Sequence, residues 1–171
     1  VDLQDILYGP GHLLGITQEL VDSNLLDAPL AQRLIILAQD NGQTIFRALA
    51  ENEEVRFKAE IYDKVSANLD LPLIVEEKGL EREQIFVDWI SASVSEELGI
   101  LALEPRIDST FRYAMIDPYD IRLDDWIRRH VSGPVDKVLT TPDAFYPVVN
   151  RLKNRVNEED AGEIGLAINI T

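Results

Sequence analysis

The chain has no cysteine among its 171 residues, which excludes disulfides, zinc–thiolate sites and thiol nucleophiles. It has only two histidines, His12 and His130, too few for a histidine metal cluster. Positive charge is scarce as well. Sixteen lysines and arginines stand against 31 acids, and the formal charge of −15 repels phosphate backbones, so nucleic acid is not an expected partner. No window approaches the roughly 18 consecutive apolar residues of a spanning helix. The first residues also lack the basic start and apolar run of a signal peptide. The expectation is a soluble, cytoplasmic protein with no direct membrane insertion. Val1 stands where an initiator methionine would be, so the sequence reads as part of a longer chain.

Motifs of the common chemistries are missing too. There is no Gly-x-x-x-x-Gly-Lys-Ser/Thr loop to cradle phosphates, no Gly-x-Gly-x-x-Gly after a strand, and no Gly-x-Ser-x-Gly elbow. Carboxylate pairs such as Glu96/Glu97, Asp124/Asp125 and Glu158-Glu159-Asp160 follow from the acidic composition, read as solvated faces and show no EF-hand spacing. No catalytic, metal or cofactor site is therefore expected, and this piece reads as not an enzyme. His130 and the trio Arg151, Lys153 and Arg155 read as complements to helix C-terminal dipoles, and His12, beside Gly11, as a loop residue. Trp89 and Trp126 sit on apolar helical stripes and read as core.

What is present is enough apolar residue, 46%, to build a core. The first third reads as a small helical bundle. Thr17–Ser23 carries Leu20 and Val21; Asp27 caps a helix through Leu30, Leu34, Leu37 and Ala38; Ile45, Phe46 and Leu49 continue the spacing; and Val55 to Asn68 carries Phe57, Ile61 and Val65. Asn41-Gly42 reads as a helix stop because its flanks have helical, not alternating, spacing. The segment Leu71-Pro72-Leu73-Ile74-Val75 is short and interrupted by proline, and a subdomain boundary falls there. From Gln84 to Leu98 the residues Ile85, Phe86, Trp89, Ile90 and Val94 predict a helix stopped by Gly99. Ile100–Leu103 and Thr110–Met115 then read as a hairpin around Pro105–Ser109. A helix with Leu123, Trp126 and Ile127 follows, then a strand Val135–Leu139 and a helix started by Thr141-Pro142. The expected fold class is α+β: a helical subdomain over 1–75, a β-β-α-β-α subdomain over 76–156 whose small sheet is covered on one face by two helices, and an acidic linker and tail over 157–171. Ile164–Thr171 is a candidate extra strand.

This order of segments carries a resemblance. From Gly15 to about Val149 the chain resembles the N-terminal domain of type II secretion and type IV pilus assembly ATPases, a module also attached to some membrane glycosyltransferases. Ala114-Met115-Ile116-Asp117-Pro118-Tyr119-Asp120 resembles the family's Ala-x-x-Asp-Pro-x-Asp turn, and Leu69-Asp70-Leu71-Pro72-Leu73 its Leu-Gly-Leu-Pro-Phe. The resemblance implies protein docking. In type II secretion ATPases this domain attaches the motor to the cytoplasmic part of an inner-membrane platform protein, which would make this chain peripheral to the membrane through a partner. The rest of its own chain is the other implied partner.

Some members bind cyclic di-GMP through two tandem copies of a motif beginning Arg-Leu-Gly-x-x-Leu. Here Gly15 to Leu26 aligns with the first copy and Thr44 to Val55 with the second. The region implied for a ligand is Gly15, Thr17, Leu20, Asn24, Thr44, Phe46 and Leu49. Both copies depart from the motif: Gly15 and Thr44 replace the arginines, Thr17 and Phe46 the first glycines, and Asn24 and Glu53 the later ones. The changes remove guanidinium donors and the bare backbone that permits close approach. The remaining apolar positions keep a structural role as bundle core.

Overall fold

The computed structural model describes residues 12–155. Four helices come first: α1 (His12–Asp22), α2 (Ala28–Asn41), α3 (Ile45–Glu51) and α4 (Lys58–Leu69). They form around Leu20, Leu34, Ile45, Phe46, Leu49, Ile61, Tyr62 and Val65, all essentially inaccessible. Gly42 ends α2 at φ 63°, with its N–H returned to Ala38 and Gln39, the left-handed stop expected of Asn41-Gly42. Asp27 occupies the N-cap of α2, but its side chain accepts no capping bond. His12, expected in a loop, is the first residue of α1.

The second half is a four-stranded sheet with helices. In chain order these are β1 (Leu73–Ile74), α5 (Glu77–Glu83), α6 (Ala92–Leu98), β2 (Ile100–Leu103), β3 (Phe111–Met115), α7 (Ile121–His130), β4 (Val135–Thr140) and a last helix α8 over 142–155. The spatial order is β1-β4-β3-β2, with β1 and β3 parallel to β4 and the β2/β3 hairpin antiparallel. The expected α+β class and the β-β-α-β-α succession are present as β2-β3-α7-β4-α8. Thr141 caps α8 by accepting from the Ala144 N–H at 3.4 Å.

Two expectations give way to physical detail. The sheet is covered on both faces, not one. Leu101, Leu103, Ala114 and Val138 meet Phe145, Val148 and Val149 of α8, whereas Ile100, Ala102, Tyr113 and Met115 meet Leu123 and Ile127 of α7. All four residues of β2 are buried, and a strand apolar on successive positions needs cover on both sides. The helix expected from Gln84 is confined to Ala92–Leu98. Before it, the chain runs extended along β2, Ile85 donating its N–H to Ala102 O at 2.9 Å and Gln84 bridging to Leu103. Ile85, Val87 and Trp89 pack inward while Phe86 is 67% exposed, a period of two where the sequence suggested 3.6.

Strand β1 was not anticipated. Pro72, at the sheet edge, needs no N–H there and its carbonyl accepts from Leu139 at 2.8 Å. Leu139 belongs to the core of the helical bundle, so β4 serves both halves. The expected linker and tail over 157–171 lie outside the described residues.

Candidate functional site

Two turns of the bundle face each other. The first follows α1: Asn24 takes φ 60°, and the Leu25 and Leu26 N–H groups return to Leu20 O at 2.9 and 3.2 Å. Asparagine is among the few non-glycine residues that tolerate this left-handed geometry, so the backbone keeps the shape that a glycine would give. The second follows α3, where Asn52 Oδ1 accepts the Glu54 N–H at 2.8 Å. Leu26 and Val55, the last residues of the two aligned segments, are both buried in the bundle. Between Asn24–Asp27 and Glu54–Phe57 lies a narrow cleft of about 60 Å³. It opens on an exposed hollow of about 650 Å³ bounded by Pro29, Arg33, Glu53 and Arg56.

Of the seven residues implied as a ligand region, Asn24 alone lines this cleft. Leu20, Phe46 and Leu49 are buried in the bundle, Thr17 is buried on α1, and Gly15 lies within α1. Thr44 is the N-cap of α3 and accepts the Arg47 N–H at 3.0 Å. The cations at the cleft are instead Arg33 and Arg56, set among Asp27, Glu53 and Glu54, and Arg33 pairs with Glu54 at 2.6 Å. Neither arginine belongs to the aligned motif. The only sequence cue is that Arg56 directly follows Val55, where the second copy ends.

Helix α3 joins this cleft to the sheet. At its start Thr44 hydrogen-bonds to the Asp117 carboxylate, whose other oxygen accepts from the Tyr119 N–H at 3.0 Å. This is the Asp-Pro turn singled out in the sequence. Its second acid, Asp120, caps α7 by accepting from the Arg122 N–H at 3.0 Å. Asp117 is 1% exposed, and burial pushes its carboxyl up to about 6 against the opposing bonds from Thr44 and Tyr119. Tyr62 donates to Ile116 O at 2.8 Å, and Phe46 meets Tyr62 and Tyr119 edge-on, each at 5.4 Å.

One turn further along α3, Arg47 is 6% exposed and fully engaged. Its Nη1 and Nη2 donate to the Glu97 and Glu96 carbonyls at 2.6 and 2.7 Å, capping the last turn of α6. Its Nε donates to Glu51 at 2.9 Å, and Tyr146 of α8 donates to the same carboxylate oxygen at 2.5 Å. Burial opposes the charge on Arg47, but the bonds to Glu51 and Tyr146 outweigh it and hold the guanidinium pKa above its usual value. Burial likewise opposes ionisation of Glu51, and Tyr146 and Arg47 outweigh it, lowering that pKa.

Several of the remaining sequence candidates have structural partners. Glu96 takes Lys153 at 2.5 Å, Arg151 reaches Glu77 and Glu81 of α5, and Asp124 and Asp125 lie near Lys137 and Arg128. Arg151 and Lys153 of α8 thus pair with neighbouring helices. His130 closes α7, its Nδ1 against Trp126 O at 2.8 Å and its ring parallel to Trp89 with centroids 5.5 Å apart. Among the described residues no group of three His, Asp or Glu is arranged to hold a metal ion, and no helix is long and apolar enough to cross a membrane.

No protein-family model and no curated protein matches the sequence. Solved structures do match. The structure of MshE with cyclic di-GMP covers 80% of this chain and 97% of its own, with a TM-score of 0.56 and 16% identity. A crystal form of the N-terminal domain of XpsE covers 82% of this chain and 96% of its own, with a TM-score of 0.54 and 16% identity. The fold is that of the XpsE N-terminal domain. A second XpsE form agrees, with a TM-score of 0.51 and 18% identity over 80% of this chain. The XpsE-type fold is therefore built here on a sequence whose short turn motifs are the visible likeness.

Proposed function

We propose that this chain is a non-catalytic docking and regulatory domain of a larger protein, tethering a secretion or pilus assembly ATPase to an inner-membrane platform protein. The observation that supports it is the fold shared with the XpsE N-terminal domain, in a chain whose buried charges hold elements together. Arg47 joins α3 to α6 and α8. Arg112 of β3 reaches Glu83 at 2.7 Å and Asp136 at 3.5 Å. Asp117 binds Thr44, and Asp120 caps α7. Such groups hold the elements in one arrangement, which suits a docking surface. Calorimetric titration with the cytoplasmic domain of the cognate platform protein tests the reading. Binding at tens of micromolar or tighter is expected, and a flat titration of folded protein overturns it.

A second reading is a cyclic di-GMP sensor, favoured by one arrangement: the aligned turns meet at a cleft with Arg33 and Arg56 on its rim. In this reading these arginines replace the motif arginines, and Asn24 keeps the left-handed backbone shape of the turn. Titration with cyclic di-GMP at moderate salt decides it. Micromolar binding lost in Arg33→Ala and in Arg56→Ala sustains the sensor, and a flat titration of the parent chain removes it.

A further inference from the structure

On the other flank of the turn after α3 lies an open groove of about 500 Å³ between α2 and α3. Its apolar walls are Leu37 and Ala48, and its rim carries Glu51, Glu53 and Glu54. Leu37, 41% exposed, sits at the edge of the α2 face that buries Leu30, Leu34 and Ala38, and Ile36, 59% exposed, lies on the far side of the helix. The groove is lined by no lysine or arginine. Glu54 is balanced from outside it by Arg33 and Glu51 from beneath by Arg47, whereas Glu53 has no ion-pair partner among the described residues.

Charge selects the occupant. A second copy of this chain would bring a body of formal charge −15 against another. Residues 1–11 contain Asp2 and Asp5 and no base, and residues 156–171 contain Glu158, Glu159, Asp160 and Glu163 and no base. Neither terminal segment complements a rim of glutamates. An apolar side chain flanked by lysines or arginines does, because it covers Leu37 while its cations face the carboxylates.

We infer that the α2/α3 groove docks a basic amphipathic segment of a partner protein, with an apolar side chain on Leu37 and cations beside Glu53. This rests on the docking reading and assigns it a place and a partner chemistry. It shares Glu53 and Glu54 with the hollow beside Arg33 and Arg56 but is built on Leu37, which that hollow lacks, so Leu37→Ser separates it from nucleotide binding.

The test is fluorescence anisotropy at physiological ionic strength, with the 171-residue chain titrated against a labelled amphipathic lysine/leucine peptide and its lysine/serine counterpart. The leucine peptide is expected to bind more tightly. Leu37→Ser should weaken it by about tenfold, the scale of a half-buried leucine contact. Glu53→Gln should weaken it by roughly threefold. Ile107→Ser, at an exposed isoleucine in the β2/β3 turn, should leave it unchanged. Thermal melts of each variant confirm folding.

Equal loss in Ile107→Ser, or equal binding of the two peptides, means diffuse charge attraction and overturns the groove. So does a chain dimer in sedimentation that Leu37→Ser dissolves, which would assign the face to a second copy. If the platform domain binds and Leu37→Ser leaves its affinity unchanged, the groove is overturned while docking stands. If the platform domain does not bind at all, the general reading fails independently of the peptide result.

Discussion

Thr44 and Asp117, 73 positions apart, are joined by a hydrogen bond that fastens the start of α3 to the turn leaving β3. The Asp117 carboxyl is buried and pushed up to about 6, whereas an unfolded aspartate titrates near 3.9. Between these values the folded state holds the proton more tightly. The cost of keeping Asp117 ionised is thus present above about pH 6 and is relieved as the pH falls toward 4. Stability should rise on acidification from pH 7 to 5, by about 1 kcal/mol from this group. Asp117→Asn, which keeps an acceptor for the Tyr119 N–H and offers its amide to Thr44, should flatten that part of the profile. Thermal melts across pH check it, and a parent whose stability falls steadily from pH 7 to 5 contradicts the assignment.

Arg47 is the most connected side chain between the halves. Arg47→Met leaves two carbonyls of α6 without this donor and takes the charged partner from the Glu51 carboxylate, and should lower the unfolding free energy by about 3 kcal/mol. Tyr146→Phe removes the bond donated to Glu51 and the longer one accepted from Arg47, and should cost about 1 kcal/mol. Urea denaturation measures both, and equal effects would mean that Arg47 is not the centre of the network.

Two glycines share a left-handed conformation but differ in surroundings. At Gly42, φ 63°, a Cβ would meet nothing within 4 Å, and Gly42→Ala should cost about 1 kcal/mol for backbone strain alone. At Gly99, φ 66°, a Cβ would lie 2.6 Å from Ile116 Cγ1, a fully buried side chain. Gly99→Ala should therefore cost about 3 kcal/mol, combining strain with overpacking. Similar midpoints for the two variants would count against this account.

The legible parts of the fold were those written in local chemistry. Asn41-Gly42, Gly99 and Thr141-Pro142 mark helix ends by mechanisms that need only a few neighbouring residues. The Asp117-Pro118-Tyr119-Asp120 turn was equally readable as a motif, although its bond to Thr44 was not. Strand β1 escaped notice because two residues carry no periodicity, and its partner lies beyond two other strands in sequence. The stretch from Ile85 to Trp89 was misread because Phe86 and Ile90 complete a helical spacing as readily as Ile85, Val87 and Trp89 complete an extended one. Only the edge of β2 decides between them. At the candidate site the aligned turns were legible, but Arg33 and Arg56 were not, since neither lies in the motif and the fold alone brings them together.

Tyr113 offers a test of opposite sign. Its ring is fully buried against the α7 side of the sheet, and its hydroxyl has no hydrogen-bond partner among the described residues. Burial and the neighbouring Asp124 both push that hydroxyl pKa upward. Tyr113→Phe should raise stability by about 1 kcal/mol, since it removes an unsatisfied polar atom and keeps the ring. A loss of stability in denaturant melts would reveal a partner for the hydroxyl.

Leu139 is a strand residue that completes the core of a helical bundle. Its position bears on how such a domain is inherited. Recombination between Val75 and Glu76 would hand on four helices with an open socket where Leu139 sits, and Tyr62 without the Ile116 carbonyl that receives its hydroxyl. The helical half is therefore expected to lose stability when passed on without β4 and the turn after β3.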